Sequence, residues 1–191
     1  GKETQTKKLY ERLISEGKIC KKISFPNYES EASAPVKMYL AGRFGKDAEK
    51  INPYPISTMY AIDRYASFKE DWEKDFNEET LIITDRYTTS NMLHQATKLD
   101  SYTERDEYID WLKDLEYEKM KLPVPELVIY LDMPPEKAEE LRKERKNKIT
   151  GEKEKDIHEK NNEYLKKVYK NGKIIALNEI WEIINCRSEE H

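Results

Sequence analysis

Glycine is scarce in this sequence: six residues in a chain of 191, beside eight prolines. That excludes collagen-like and low-complexity chains, whose composition those two residues dominate. Cysteine is scarcer still. Cys20 and Cys186 lie far apart and match no metal-binding or redox spacing, so they read as two reduced thiols in a cytoplasmic protein. No apolar run approaches the roughly 18 residues needed to cross a bilayer, and no signal-peptide pattern is seen. Positive charge is not in excess: 34 basic against 38 acidic residues leave a formal net charge of -4. The composition therefore gives no general pull toward nucleic acid or an anionic membrane, and any anion site has to be local. There is no internal repeat. The chain opens on Gly1 and not Met, so its N-terminus is expected to be processed or cut.

What is present is a very polar surface around a modest core, with 38% charged and 37% hydrophobic residues, at a length that suits one domain over residues 1–191. Leu9, Leu13 and Ile14 fall at helical spacing, and Gly17 supplies a stop. Residues 19–25, "ICKKISF", read as a strand ended by Pro26. "SAPVKMYLAGRFG" predicts a helix closing around Gly42–Gly45. The stretch from Pro55 carries Ile56, Met59, Tyr60, Ile62 and Tyr65, the pattern of a long, largely buried helix. "LIIT" (81–84) and "LVIYL" (127–131) are short continuous apolar runs, as expected of central parallel strands covered on both faces. Helices are predicted over about 104–121, 135–148 and 155–178, and "WEIIN" (181–185) reads as a last strand. Strands alternating with helices predict a parallel α/β sheet, whose ligands gather at the C-terminal ends of the strands. Asp85 and Asp132 would stand there, and so would residues 1–4.

Four stretches carry chemistry. "GKET" at residues 1–4 has the form of the back half of a phosphate loop: a glycine for close backbone approach, a helix N-terminus and a lysine for the β/γ phosphates. "LIITDRYTTSNMLHQ" delivers Asp85 and Arg86 to a strand end, where a carboxylate can organise Mg²⁺ and a guanidinium can clamp phosphate oxygens. In "MYAIDRY" Tyr60 and Arg64 are four apart and share a helix face, an aromatic to stack on a base beside a cation. In "EKAEELRKERKNKITGEKEKD" Arg142 and Arg145 share a face, either as a solvated charge run or as a mobile lid of about 142–156 that carries arginines to a transferring phosphoryl group.

Taken in order along the chain, these pieces resemble the thymidylate kinases of the P-loop nucleoside monophosphate kinase group. The matching stretches are "GKETQTKKLYERL", "FPNY", "KMYLAGRFG", "MYAIDRY", "DRYTTSN", "PELVIYLDMPPEKAEELRKER" and "WEIINC", and they span nearly the whole sequence. The resemblance implies a three-layer α/β/α fold, P-loop NTPase-like, with a parallel sheet flanked by helices and a mobile lid. It implies transfer of the γ-phosphoryl group of ATP to dTMP with Mg²⁺ required, in a cytoplasmic homodimer with no nucleic-acid or membrane partner. Under it Gly1, Lys2, Glu3 and Thr4 belong to the ATP site, with Lys2 on the β/γ phosphates. Asp85 is the acidic residue near Mg²⁺, and Arg86 the adjacent phosphate-site arginine. Arg64 contacts the acceptor's phosphate and Tyr60 stacks on thymine. Phe25 and Pro26 form a turn beside the acceptor, Ser90 and Asn91 line the base pocket, His94 with Gln95 lies by the sugar, and Arg142 and Arg145 supply lid charge.

The sequence departs from that pattern in places. Glu3 follows the lysine where a Ser or Thr is usual, and His94 stands where Tyr or Phe is common. The resemblance also places a first strand and a Gly-rich loop ahead of Gly1, and a helix after "WEIINC". These departures motivate the alternative of a catalytically weak or silent paralogue that binds nucleotide or a protein partner.

Overall fold

The computed structural model describes residues 1–148 and 162–186, with the backbone alone over 142–148. Helix α1 (Lys2–Ser15) ends through Gly17, whose φ of 77° is a left-handed conformation that glycine adopts without a Cβ penalty. Strand β1 (Cys20–Ser24) follows and leads into Phe25–Pro26, joined by a cis peptide bond. Helix α2 (Ala34–Leu40) is preceded by a 3₁₀ turn that Ser30 caps through its hydroxyl. Helix α3 (Pro53–Ser67) is capped by Asn52 and starts two residues earlier than the sequence suggests, with Pro53 in its first turn. It runs through a π-helical turn (Phe68–Trp72) into α4 (Glu73–Asn77). Strand β2 (Leu81–Asp85) and helix α5 (Thr88–His94) come next. Helix α6 (Tyr102–Lys113) begins at a capping box in which Ser101 and Glu104 satisfy each other's backbone N–H groups, then widens into a second π-helical turn (Asp114–Lys119). Strand β3 (Ile129–Asp132), helices α7 (Pro135–Lys148) and α8 (Asn162–Asn178), and strand β4 (Glu182–Asn185) complete the described chain.

Both strand pairings are parallel, so the α/β class stands. β1 pairs with β2 from Cys20↔Leu81 to Ser24↔Asp85, and β3 pairs with β4 from Ile129↔Glu182 to Asp132↔Asn185. The single sheet expected from the sequence is, among the described residues, two two-stranded sheets. The reason lies at the facing edges of β2 and β3, which do not pair with each other. A cavity of about 500 Å³ is bordered by Thr84 of β2 and by Val128–Leu131 around β3. Nor are "LIIT" and "LVIYL" covered on both faces as their apolar runs imply: Leu81 is 46% and Ile129 44% exposed. The strand that the resemblance places ahead of Gly1 has no counterpart among the described residues.

Three apolar clusters hold these elements. Ile23, Phe25, Phe68, Trp72, Tyr87 and Leu122 pack beneath the β1–β2 pair. Tyr39, Ala48, Ile56, Tyr164 and Val168 join α2, α3 and α8. Met92, Ala96, Tyr108, Ile109, Leu112 and Ile175 join α5, α6 and α8. Each large side chain buried this way contributes roughly 1.5–3 kcal/mol. On α3 the burial departs from the sequence reading: Ile56 is in the core, but Ile62 and Tyr65 are exposed while Asp63 and Arg64 are buried. Turn order explains it, since residues 56, 60, 63, 64 and 67 share the inward stripe of the helix.

One half-buried cation, Lys98, has no carboxylate partner among the described residues. Lys98 Nζ donates to the Tyr39 hydroxyl at 2.9 Å and to the Ile51 carbonyl at 3.2 Å, and lies 4.9 Å from the centre of the Tyr39 ring. Burial pulls its ammonium down to about 7. An unfolded lysine holds its proton to roughly pH 10.4. Between these values the unfolded chain binds more protons than the folded one, so this group makes stability rise with pH across that window. Urea denaturation at pH 7.5 and 9.5 is expected to show a smaller gain in midpoint for Lys98→Met than for the wild type. Equal gains would contradict the reading.

Candidate functional site

The parallel register of β1 and β2 sets the site. It aligns Ser24 with Asp85, and the Phe25 N–H donates to the Asp85 carbonyl at 3.1 Å, so the Phe25–Pro26 turn and the Asp85–Arg86 strand end emerge side by side. Asp63 of α3 fixes the turn from below, its Oδ2 accepting from the Asn27 N–H at 3.0 Å. Burial pushes the Asp63 carboxyl above its usual range, against the opposing pull of that hydrogen bond and of Arg64. Immediately past the strand, Arg86 adopts a left-handed backbone conformation with φ of 67°, rare for a side chain other than glycine. The Thr84 hydroxyl donates to the Arg86 carbonyl at 2.5 Å and holds that kink. Strain of this kind collects where a side chain must be aimed.

Every residue that the sequence assigns to substrate lines one cavity of about 280 Å³: Phe25, Pro26, Tyr60, Arg64, Arg86, Ser90, Asn91, His94 and Gln95, together with Lys2. The helix spacing brings Ser90, Asn91, His94 and Gln95 to it from successive turns at the end of α5, while α3 contributes Tyr60 and Arg64. Lys2, Arg86, Ser90 and His94 also line the larger cavity between the half-sheets, as does Gly1. Gly1 is the N-cap of α1, with no side-chain cap there, and the N-terminal amides of such a helix favour negative charge. Glu3 and Thr4 are exposed on the first turn of α1 and line neither cavity. Arg142 and Arg145 fall on α7, and their side chains, with the rest of the expected lid to residue 156, lie outside the described residues.

In the smaller cavity's wall Asn91 Nδ2, a donor, and Gln95 Oε1, an acceptor, have no hydrogen-bond partner among the described residues, on side chains that are almost wholly buried. Buried polar groups are normally satisfied, so such a pair at a cavity wall fits a ligand edge that presents one acceptor and one donor. Asp85 lines neither cavity, but its Oδ1 is buried with no hydrogen-bond partner among the described residues. A hard carboxylate oxygen in that state fits Mg²⁺, which takes one or two carboxylates and completes its shell with water and phosphate. No group of three or more His, Cys, Asp or Glu side chains gathers into a metal centre among the described residues.

Arg64, expected at the acceptor's phosphate, lines the cavity with its charge already paired: its Nε and Nη2 donate to Glu116 Oε1 and Oε2 at 2.6 and 2.8 Å. Burial alone would favour loss of its proton, and the Glu116 carboxylate more than reverses that, so the guanidinium is held charged and already matched. Glu116 was not legible as a site residue, because "DLEYEK" reads as a solvated helix end. Tyr28, Leu40, Tyr87 and Leu165 complete the cavity wall; the first three lie within "FPNY", "KMYLAGRFG" and "DRYTTSN" but were given no role there, and no quoted stretch contains Leu165.

Among the described residues, no helix is long and apolar enough to cross a membrane. The family model described as thymidylate kinase matches residues 1–185. The chain is similar to the thymidylate kinase of Mycobacterium tuberculosis (strain H37Rv), at 26% identity over 152 residues, covering 79% of this chain and 69% of that protein. It is also similar to the thymidylate kinases of Arabidopsis thaliana, 28% identical over 141 residues, and of Homo sapiens, 25% identical over 133 residues. Those two matches cover 73% and 70% of this chain but only 47% and 56% of the relatives. With a family match over nearly its full length, on a cavity that collects the motif residues, this chain belongs to the thymidylate kinase family.

Proposed function

We propose that this chain transfers the γ-phosphoryl group of ATP to dTMP, forming dTDP. The observation that carries the reading is a chemical division of the cavity lining. Lys2 and Arg86, beside the N-terminus of α1 and the Asp85 strand end, line both cavities and bring positive charge to where they adjoin. Tyr60, the charge-matched Arg64, Asn91 and Gln95 line the smaller cavity and not the larger one, and form an almost neutral wall with a spare donor and acceptor. That division suits a nucleoside monophosphate. Thymine offers a flat face for Tyr60, carbonyl oxygens for Asn91 Nδ2 and Arg64, and an N3–H for Gln95 Oε1.

Phosphoryl transfer asks little covalent chemistry of a protein; positioning and charge neutralisation do most of it. Lys2 and the helix amides hold the donor's β/γ phosphates, while Arg86 faces the acceptor's phosphate and keeps the two anions in line. Asp85 and the phosphates would hold Mg²⁺. The metal, when bound, bridges phosphate oxygens and offsets the charge that develops on them. Arg142, Arg145 and the lid would close over the donor, in a three-layer α/β/α arrangement of the complete protein. Exposed Ile62 and Tyr65 on α3 support burial of that face in a homodimer.

In the complete protein, ADP release from ATP is expected to require both dTMP and Mg²⁺. Equal or faster turnover with another nucleoside monophosphate would remove the dTMP assignment and leave the kinase class standing. Arg86 gives a second test, since glycine there relieves the left-handed strain and removes the charge. Arg86→Gly is expected to keep or raise the melting temperature while turnover falls by roughly 100-fold, the usual scale for losing one charge-stabilising donor. Turnover within about threefold of wild type would show that Arg86 does not face the reacting phosphates.

A further inference from the structure

The Arg64–Glu116 pair is fully enclosed, with side chains 2% and 0% exposed. Glu116 accepts three hydrogen bonds: from Arg64 Nε and Nη2, and from the Thr88 hydroxyl at 3.0 Å. It thus joins α3 to the first residue of α5, directly after Arg86 and Tyr87. The Nε–Nη2 edge of a guanidinium is flat, so a two-pronged carboxylate fixes its plane. Nη1 and Nη2 are then turned to Asn91 Oδ1, at 3.5 and 3.4 Å, on the cavity side. Glu116 itself lines neither of the two cavities, and it sits in the π-helical turn after α6, a distortion often kept at functional sites. Stability alone does not call for this pair: a buried ion pair is often no better than apolar residues of the same volume.

We infer that Glu116 is a positioning residue of the acceptor site: it cancels the charge of Arg64 and locks its plane, so that the base enters a neutral pocket and the acceptor's phosphate is left to Arg86. The inference rests on the reading of the cavity given above. Without the carboxylate, Arg64 becomes an uncompensated cation in that neutral wall. It then competes for phosphate and holds the acceptor backwards, away from the donor.

The test compares the complete wild-type protein with Glu116→Gln and with the double variant Arg64→Met, Glu116→Leu, which removes the pair together. Steady-state kinetics are run on a panel of nucleoside monophosphates, with inorganic phosphate as inhibitor. For Glu116→Gln the KM of the preferred acceptor is expected to rise about tenfold or more, the scale of one charge-assisted hydrogen bond, while the KM for ATP stays within about twofold. Inorganic phosphate is expected to compete with the acceptor at roughly tenfold lower concentration than in wild type, following the unpaired charge. The double variant should share the raised acceptor KM and lack the new phosphate sensitivity. If Glu116→Gln does not fold, the double variant decides through its acceptor KM against its KM for ATP. Unchanged acceptor KM, equal effects on both substrates, or phosphate sensitivity in both variants or in neither would overturn the inference. The wild type's own preference within the panel tests the dTMP reading separately, since the variants are scored against whichever acceptor it prefers.

Discussion

The enclosed pair of Arg64 and Glu116 is the constraint on which the rest of the site depends. Three segments distant in sequence meet at it: α3, the start of α5, and the π-helical turn after α6. Breaking one partner of such a pair is far more damaging than never having had it, because the survivor is a charge with neither water nor counter-ion. The relative placement of α3 and α5 is therefore not free to drift. Tyr60, Asn91 and Gln95 ride on those two helices, so the cavity wall inherits the rigidity of a contact buried behind it.

That rigidity matters because the protein as a whole is acidic, with a formal net charge of -4. Anions are not gathered by the general field of the surface. In the function proposed above, local arrangement does it: the N-terminus of α1, Lys2, and an Arg86 held in a strained backbone conformation by the Thr84 hydroxyl. On the same proposal the pairing of Arg64 with Glu116 has a use. Two unpaired arginines in one cavity would leave a phosphate-bearing ligand without a preferred direction, and in-line transfer depends on direction.

Much of this was legible in the sequence. Helical spacing puts Tyr60 and Arg64 on one face, and α5 carries Ser90, Asn91, His94 and Gln95 from successive turns. The apolar runs mark β2 and β3 as parallel strands, and the helix expected from about 104 is α6, which begins at Tyr102. What stayed hidden depends on partners remote in sequence. Glu116 looks like one more charge in a polar helix until the fold brings Arg64 to it across 52 positions. Burial of Asp63 and Arg64 in place of Ile62 and Tyr65 is invisible to hydropathy, since it takes a carboxylate and a backbone N–H to make those polar residues the inner ones. The division into two half-sheets was also out of reach, because an apolar run states that a strand wants neighbours and not which neighbours it has.

The facing edges of β2 and β3 define a slot. Among the described residues β2 and β3 do not pair with each other, and the space between them is the larger cavity. A strand edge is a row of backbone donors and acceptors at fixed spacing, so two such edges across a cavity set the direction and register of any strand that would lie between them. One parallel strand there would fuse the half-sheets into the single sheet that the apolar runs of β2 and β3 call for.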